Sequence, residues 1–554
     1  MAWLTLLLAS PLLLVVALTT STTLRLLRNY LAARTIGVPI RFIPISPLNP
    51  FWTLADRGIL GLLRRLPFGD NSFTRYNWRG WEVEDRYKSH QEMGDMWVLV
   101  TPLKNWVYVN DPGALMSIFK RGPEFPRPVF VNEILNVFGP NISTAEGESW
   151  KTQRRIATRC FNEQNNEIVW EETITLARDM LEYWTSKTSV PSIADDLRTL
   201  SLHVLSRAGF GKSFKFQGHD QRKHSVDPSV NYKESLQIIL ENCVLILGFG
   251  TKFISYPWLP SNFRTVHKAW ISFHAYMTGV YEDEKRKFAE GQTSDHNLMT
   301  LLIRASQEDQ EKTSVGLTES EIYGNMFAFN FAGHDTTANT FTFAVYFLAA
   351  NPQVQDWLSE EICAVLGDRD PHTWDYRADF PRLRRCLSAM LETMRLYTPV
   401  PIIKWTGSGN ESRQLVVNGK TFVLPPHSMI APSYGSVQTD PRFWGDDSLL
   451  WRPSRWMKAG SPGEEEMDLP ARGAFLGWSE GTRDCPGRKF SQVEFAATMA
   501  VLFRRSRVRP EAREGETPEA ARARILQMIE KESGTVLLLQ LLHPERSPLV
   551  WDRL

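Results

Sequence analysis

Residues 477–487 read Gly-Trp-Ser-Glu-Gly-Thr-Arg-Asp-Cys-Pro-Gly, and two catalytic patterns overlap in them. GWSEG fits the Gly-x-Ser-x-Gly turn that exposes the nucleophile of a serine hydrolase, whereas GTRDCPG fits a loop that offers one cysteine to a metal. The serine reading needs a strand before Ser479, a helix directly after it, and an acid and a histidine further on. The preceding DLPARGAFLGW is a poor strand, Pro486 and Gly487 interrupt the required helix, and His543 is the only histidine that follows. The cysteine reading suits the local chemistry better. Gly481 permits a tight turn, Pro486 suits the first position of a helix, and RKFSQVEFAATMAVLFRR continues as an apolar-rich helix. Cys485 then sits at a helix N-terminus, where free NH groups and the dipole stabilise a thiolate. Arg483 is placed to meet a negative group of a bound cofactor. A thiolate with no other Cys or His nearby points to haem rather than to zinc or an iron–sulfur cluster.

Upstream, Thr318-Glu319-Ser320-Glu321 has the form of a capping box, and no proline follows until Pro352. The spacing predicts a helix of about thirty residues, roughly 48 Å long. Inside it FAGHDTT, residues 331–337, breaks an apolar pattern with a glycine, an acid and two hydroxyls. Glycine costs about 1 kcal/mol relative to alanine there, and a buried acid needs partners or a job. Glu392 and Arg395 lie three apart on a predicted helix face, and WRPSRW at 451–456 adds Arg455. They form either a surface ion pair or a buried network that defines the structure. Trp150 and Arg154 share another helix face, which reads either as a simple basic surface or as a holder for an anion.

The chain has 554 residues, 43% hydrophobic and 23% charged, with a net charge of +1. That composition suits a globular protein and supplies no field to gather nucleic acid. Five widely spaced cysteines support neither a disulfide framework nor a Cys-x-x-Cys zinc site. Residues 2–24 carry no charge, and Arg25, Arg28 and Arg34 follow. This predicts a transmembrane anchor over residues 1–24 with the rest of the protein in the cytosol, then a basic, proline-rich connector over 25–50. Residues 51–554 are expected to form one large domain, mainly α with a small β-sheet component. Strand-like runs occur near residues 100 and 415.

Taken in order, these motifs resemble the cytochrome P450 family, and the likeness covers essentially everything after the connector. It rests on Trp-x-x-x-Arg at Trp150 and Arg154, AGHDTT at 332–337, Glu-x-x-Arg at Glu392 and Arg395 with Pro-Ser-Arg-Trp at 453–456, and Gly-x-Arg-x-Cys-x-Gly at 481–487. The resemblance implies haem b, iron protoporphyrin IX, with Cys485 as the axial thiolate and metal ligand. Trp150, Arg154 and Arg483 then hold its propionates, Gly487 closes the cysteine loop, and Gly333 leaves room for oxygen. Asp335 and Thr336 become the catalytic acid and alcohol, and Glu392, Arg395 and Arg455 a structural network. Trp478 stands where the family usually has phenylalanine, and Lys404 where many members carry an arginine for a propionate. The resemblance further implies a monooxygenase that activates O2 with electrons from an NADPH-cytochrome P450 reductase, since the chain carries no dinucleotide fingerprint. Lys151, Arg155, Arg159, Arg488 and Lys489 are expected to attract that partner's acidic surface. The apolar stretches 126–138 and 238–250 and residues 400–403 point to a lipophilic substrate. The likeness is closest to microsomal fungal members that tailor terpenoids, polyketides or alkaloids, which implies the endoplasmic reticulum membrane. A haem-thiolate isomerase or peroxygenase is the alternative, with a serine hydrolase using Ser479 more remote.

Overall fold

The computed structural model describes every residue except 1, 48, 79, 129–134, 220–231, 293–295 and 314. Part of the apolar stretch 126–138 therefore lies outside the described residues. Helix α1 spans Ala2–Arg34, though its side chains before residue 15 are also outside them. Among the described residues no helix is long and apolar enough to cross a membrane. The span expected over residues 1–24 thus has no support there. The described part of α1 is rich in threonine and ends in arginines, and the Thr19 and Thr23 hydroxyls bond back to helix carbonyls.

Within residues 25–50, Asn29 donates to the Thr101 carbonyl at 2.8 Å, and strand β1 (Ile40–Phe42) pairs in parallel with β2 (Met96–Val100). Part of the expected connector is therefore packed on the sheet. The run near residue 100 folds as β2 and β3 (Asn105–Val109), antiparallel with Val98 opposite Val107 and both strands fully buried. After β4 (Lys404–Trp405) come β5 (Arg413–Val417) and β6 (Lys420–Leu424), a hairpin turned by Asn418 and Gly419 at φ +49° and +74°. A positive φ at both turn residues is what a two-residue hairpin of matching twist requires. Strand β7 (Met429–Pro432) lies between β3 and β4 and completes the order β1-β2-β3-β7-β4.

The rest is mainly helical, as the spacing predicts. The helices that matter here are α2 (Gly147–Thr158), α3 (Glu163–Thr185), α4 (Ile193–Phe210), α5 (Glu319–Ala350), α6 (Arg384–Leu396) and α7 (Arg488–Phe503). Helix α5 is the long one. Thr318 Oγ1 accepts from the Glu321 NH, and Glu321 Oε2 accepts from the Thr318 NH at 2.9 Å, so both ends of the capping box are closed. It is apolar on nearly all sides because α4, α6 and α7 surround it. Phe341 of α5 stacks on Phe495 of α7 with ring centroids 5.1 Å apart, and Phe343 on Tyr397 at 4.5 Å.

Candidate active site

One cavity of about 270 Å³ brings together the cysteine loop, the middle of α5 and the start of α2. Cys485, Trp478, Gly487, Trp150, Arg154, Arg483, Gly333 and Thr336 all line it. Cys485 is exposed, and its accessible surface opens to the cavity. Residues 473–480 form no strand, and α7 begins only at Arg488. Pro486 is therefore not the first helical residue, because the chain makes a further turn before α7 starts. Cys485 nevertheless receives a helix-end donor, the Gly487 NH. Burial pushes the thiol up all the same, against that NH and the charges of Arg154 and Arg127. A bound metal cation would have to offset the desolvation.

The loop's glycines have local reasons. Gly481 sits at φ +77°, and a Cβ there would lie 2.5 Å from the Phe119 carbonyl oxygen. A Cβ at Gly487 would fill the space 3.9 Å from Cys485 Sγ. Trp478 forms a wall and donates from Nε1 to Ser491 Oγ at 3.1 Å. Ser479 has φ +63°, a strain that a hydrolase turn shares, but no strand precedes it and His543 is paired with Glu545 at the surface. The hydrolase constellation is absent from the described residues.

Cations gather on one wall. Arg483 stacks over Trp150, with its guanidinium carbon 4.4 Å from the ring centroid. Arg127, which no motif marked, also lines the cavity and donates from Nη2 to the Arg483 carbonyl at 3.1 Å. Lys404 is buried beside them with Nζ 5.6 Å from the centre of the Phe119 ring; burial and the nearby arginines lower its amine to about 8. Burial also brings the Arg483 guanidinium down to about 10. Arg127 Nε and Arg483 Nη1 are buried and have no hydrogen-bond partner among the described residues. A cavity that leaves guanidinium NH groups orphaned on one wall and offers a thiol on another fits a flat apolar cofactor that carries carboxylates. The residues present therefore fit haem. Arg154 lines the cavity, donates to the Asp484 carbonyl at 2.7 Å and pairs with the Asp484 carboxylate.

Ala328, Phe329, Ala332 and Thr336 of α5 line the same cavity, as do Ile142, Val400 and Ile402. Thr336 Oγ1 donates back to the Ala332 carbonyl at 2.7 Å. Asp335 does not line the cavity. One residue of helix turns it about 100° away, where Oδ1 lies 3.5 Å from Arg198 Nε of α4 and 3.4 Å from His334 Nδ1. Arg198 in turn pairs with the half-exposed Asp195 at 3.2 Å. Gly333 borders the cavity, but a Cβ there would press on Leu205 of α4 at 3.3 Å, so its smallness serves helix packing rather than space for oxygen alone.

Glu392, Arg395 and Arg455 meet in the interior. Glu392 accepts from Arg395 Nε at 2.7 Å and Nη2 at 2.8 Å, from Arg455 Nε at 2.8 Å, and from Trp456 Nε1 at 2.9 Å. On the basic face of α2, Arg155 and Arg159 are already held by the buried Asp309 at 3.1 and 2.9 Å, and Lys151 by Glu148 at 2.6 Å. Of the expected partner-facing cations, Arg488 and Lys489 remain, lying over the Trp478 and Phe380 rings.

Comparison with known proteins agrees with this geometry. The family model described as Cytochrome P450 matches residues 78–534. The chain is similar to a phomenoic acid biosynthesis cluster cytochrome P450 monooxygenase of Leptosphaeria maculans, 30% identical over 89% of this chain and 91% of that one. It is also similar to a cytochrome P450 monooxygenase of Arthrobotrys oligospora, 26% identical over 93% of each, and to the 7-deoxyloganic acid hydroxylase of Catharanthus roseus, 24% identical over 75% and 77%.

Proposed function

Because the chain belongs to the cytochrome P450 family and is a monooxygenase, we propose that it oxidises a lipophilic small molecule in fungal secondary metabolism, drawing electrons from an NADPH-dependent reductase. The observation that carries this reading is that Cys485 opens across a single cavity onto Ala332 and Thr336 of α5. The apolar residues lining the cavity support a lipophilic substrate. The biosynthesis-cluster name of the Leptosphaeria relative supports secondary metabolism. When bound, a cysteine-ligated haem supplies the cleavage of the O–O bond of dioxygen.

The chain's own residues bind, orient and move protons. Cys485 Sγ is the ligand atom. Arg127 Nε and Arg483 Nη1, with the Trp150 ring beneath the latter, hold the cofactor's carboxylates. Arg154, bound to Asp484, ties α2 to the cysteine loop at the cavity wall. Ile142, Phe329, Val400 and Ile402 keep water from the substrate side. Asp335 takes protons from solvent past Asp195 and Arg198 and must swing from Arg198 to deliver them, while Thr336 holds the last proton at Oγ1. Loss of that hydroxyl should waste electrons. Thr336→Ala is expected to keep consuming NADPH while product per NADPH falls by about tenfold, the worth of one hydrogen bond of about 1.4 kcal/mol. Product and NADPH counted in one reaction check this, and unchanged coupling would remove Thr336 from the path.

The reduced, carbon-monoxide-bound spectrum of the purified protein tests the whole reading. Haem-loaded protein without the haem-thiolate Soret band would overturn it. We further place residues 51–554, as one catalytic domain, on the cytosolic face of the endoplasmic reticulum membrane, anchored by residues 1–24. The uncharged run before Arg25, Arg28 and Arg34 supports this. The full chain should stay with washed membranes, and a chain lacking residues 1–24 should bind them more weakly. Equal binding would sink the anchor.

A further inference from the structure

Arg483 is held from two sides before any ligand reaches it. Its Nη2 is ion-paired with Glu146 Oε2 at 2.9 Å and donates to the Ala145 carbonyl at 2.9 Å, and Trp150 lies under the guanidinium plane. Nη1 is the atom left over, buried at the cavity wall without a partner among the described residues. Glu146 is the residue preceding the first turn of α2, with extended backbone at φ −130° and ψ 166°. A short polar side chain such as Asp, Asn, Ser or Thr in that place commonly accepts from the NH groups of its own helix, a role outside the usual repertoire of the longer glutamate. Here it makes no such bond. Its carboxylate turns across to the cysteine loop instead, which leaves the helix end uncapped in return for one fixed arginine.

We propose that Glu146 is a positioning residue for the cofactor: by pinning the Nη2 edge of Arg483 over Trp150, it presents Nη1 to a carboxylate of haem. The inference rests on the reading of this cavity as a haem site. Glu146 and the incoming carboxylate use different edges of the same guanidinium, so they cooperate rather than compete. Arginine's planar fork makes this possible, since an ordered guanidinium loses less on forming its next bond than a mobile one. Arg127 extends the hold by donating to the Arg483 backbone carbonyl from the other side of the loop.

Haem loss from the loaded full-length protein to excess apomyoglobin reads the effect directly. Glu146→Ala should release haem about tenfold faster, the usual scale for removing a partner that orients a ligand-holding group. Glu146→Gln, which keeps the length of the side chain but drops the charge of the ion pair, should fall between the parent and alanine. Glu148→Ala, a change two residues away at an exposed position that bonds Lys151, should behave as the parent. In an Arg483→Ala background, Glu146→Ala should add nothing, because the two residues act as one unit. The inference is overturned if Glu146→Ala retains haem like the parent, if glutamine loses it as quickly as alanine, or if the two changes add. Should the alanine variant not accumulate, Glu146→Asp, which withdraws the carboxylate by one methylene, takes its place with the same expected direction. Failure of the parent chain itself to take up haem would remove the reading of the site, whereas normal uptake with unaltered loss in the variants would remove only the role of Glu146.

Discussion

Cys485→Ala is expected to abolish the haem-thiolate Soret band of the reduced, carbon-monoxide-bound protein and to cut turnover by about 10³-fold or more, as loss of an essential reacting group does. No neighbour can take over. The cavity lining contains no histidine and no second cysteine among the described residues. Met390 and Met394 do line it, but a thioether carries no charge and cannot donate electron density as a thiolate does. Any haem that remained would therefore show a different spectrum. Ser479→Ala is the matched control: it removes the rival nucleophile and should keep both band and turnover. Persistence of the band in Cys485→Ala, or its loss in Ser479→Ala, would reverse the assignment of the overlapping patterns.

Much of this site was legible because its parts are short and local. The cysteine loop reads in seven consecutive residues, the capping box of α5 in four, and the Glu392–Arg395 pair in one helical turn. What sequence did not disclose depends on contacts across the chain. Arg127 lies 356 residues from Arg483 and belongs to no periodic pattern, so only the fold puts it at the cavity. Glu146 carried no mark beyond standing at a helix start. Asp335 and Thr336 are adjacent in sequence, but the turn of the helix sends one to Arg198 and the other to the cavity. Motif spacing identifies neighbours on a helix and cannot by itself say which neighbour faces the core.

The remaining large effect concerns folding rather than chemistry. Glu392→Ala is expected to destabilise the protein by about 3–5 kcal/mol, because removing one partner of a buried network leaves the other charges uncompensated. Glu392 and Arg395 are essentially inaccessible, and Arg455 is only 6% exposed on its side chain. Arg395 would still donate to the carbonyls of Gln438, Ser448 and Leu450, but its bidentate carboxylate would be gone. Trp456 would lose the acceptor of its Nε1, and here the damage reaches the active site. The Trp456 ring meets Phe475 edge-on at 5.0 Å, Phe475 meets Trp478 at 6.2 Å, and the Trp478 carbonyl accepts from the Cys485 NH at 3.0 Å. A loosened Trp456 thus loosens the cysteine loop through three aromatic rings. Glu392→Gln keeps the shape but turns an amide donor toward two guanidinium groups, so it should be intermediate. In a chain of 554 residues unfolding is not expected to be two-state, and the informative readouts are soluble yield, haem content and half-life at elevated temperature. Haem content should fall ahead of yield, in the order parent, glutamine, alanine. An alanine variant with full haem content and the parent's thermal half-life would show that the network neither holds the fold nor supports the loop.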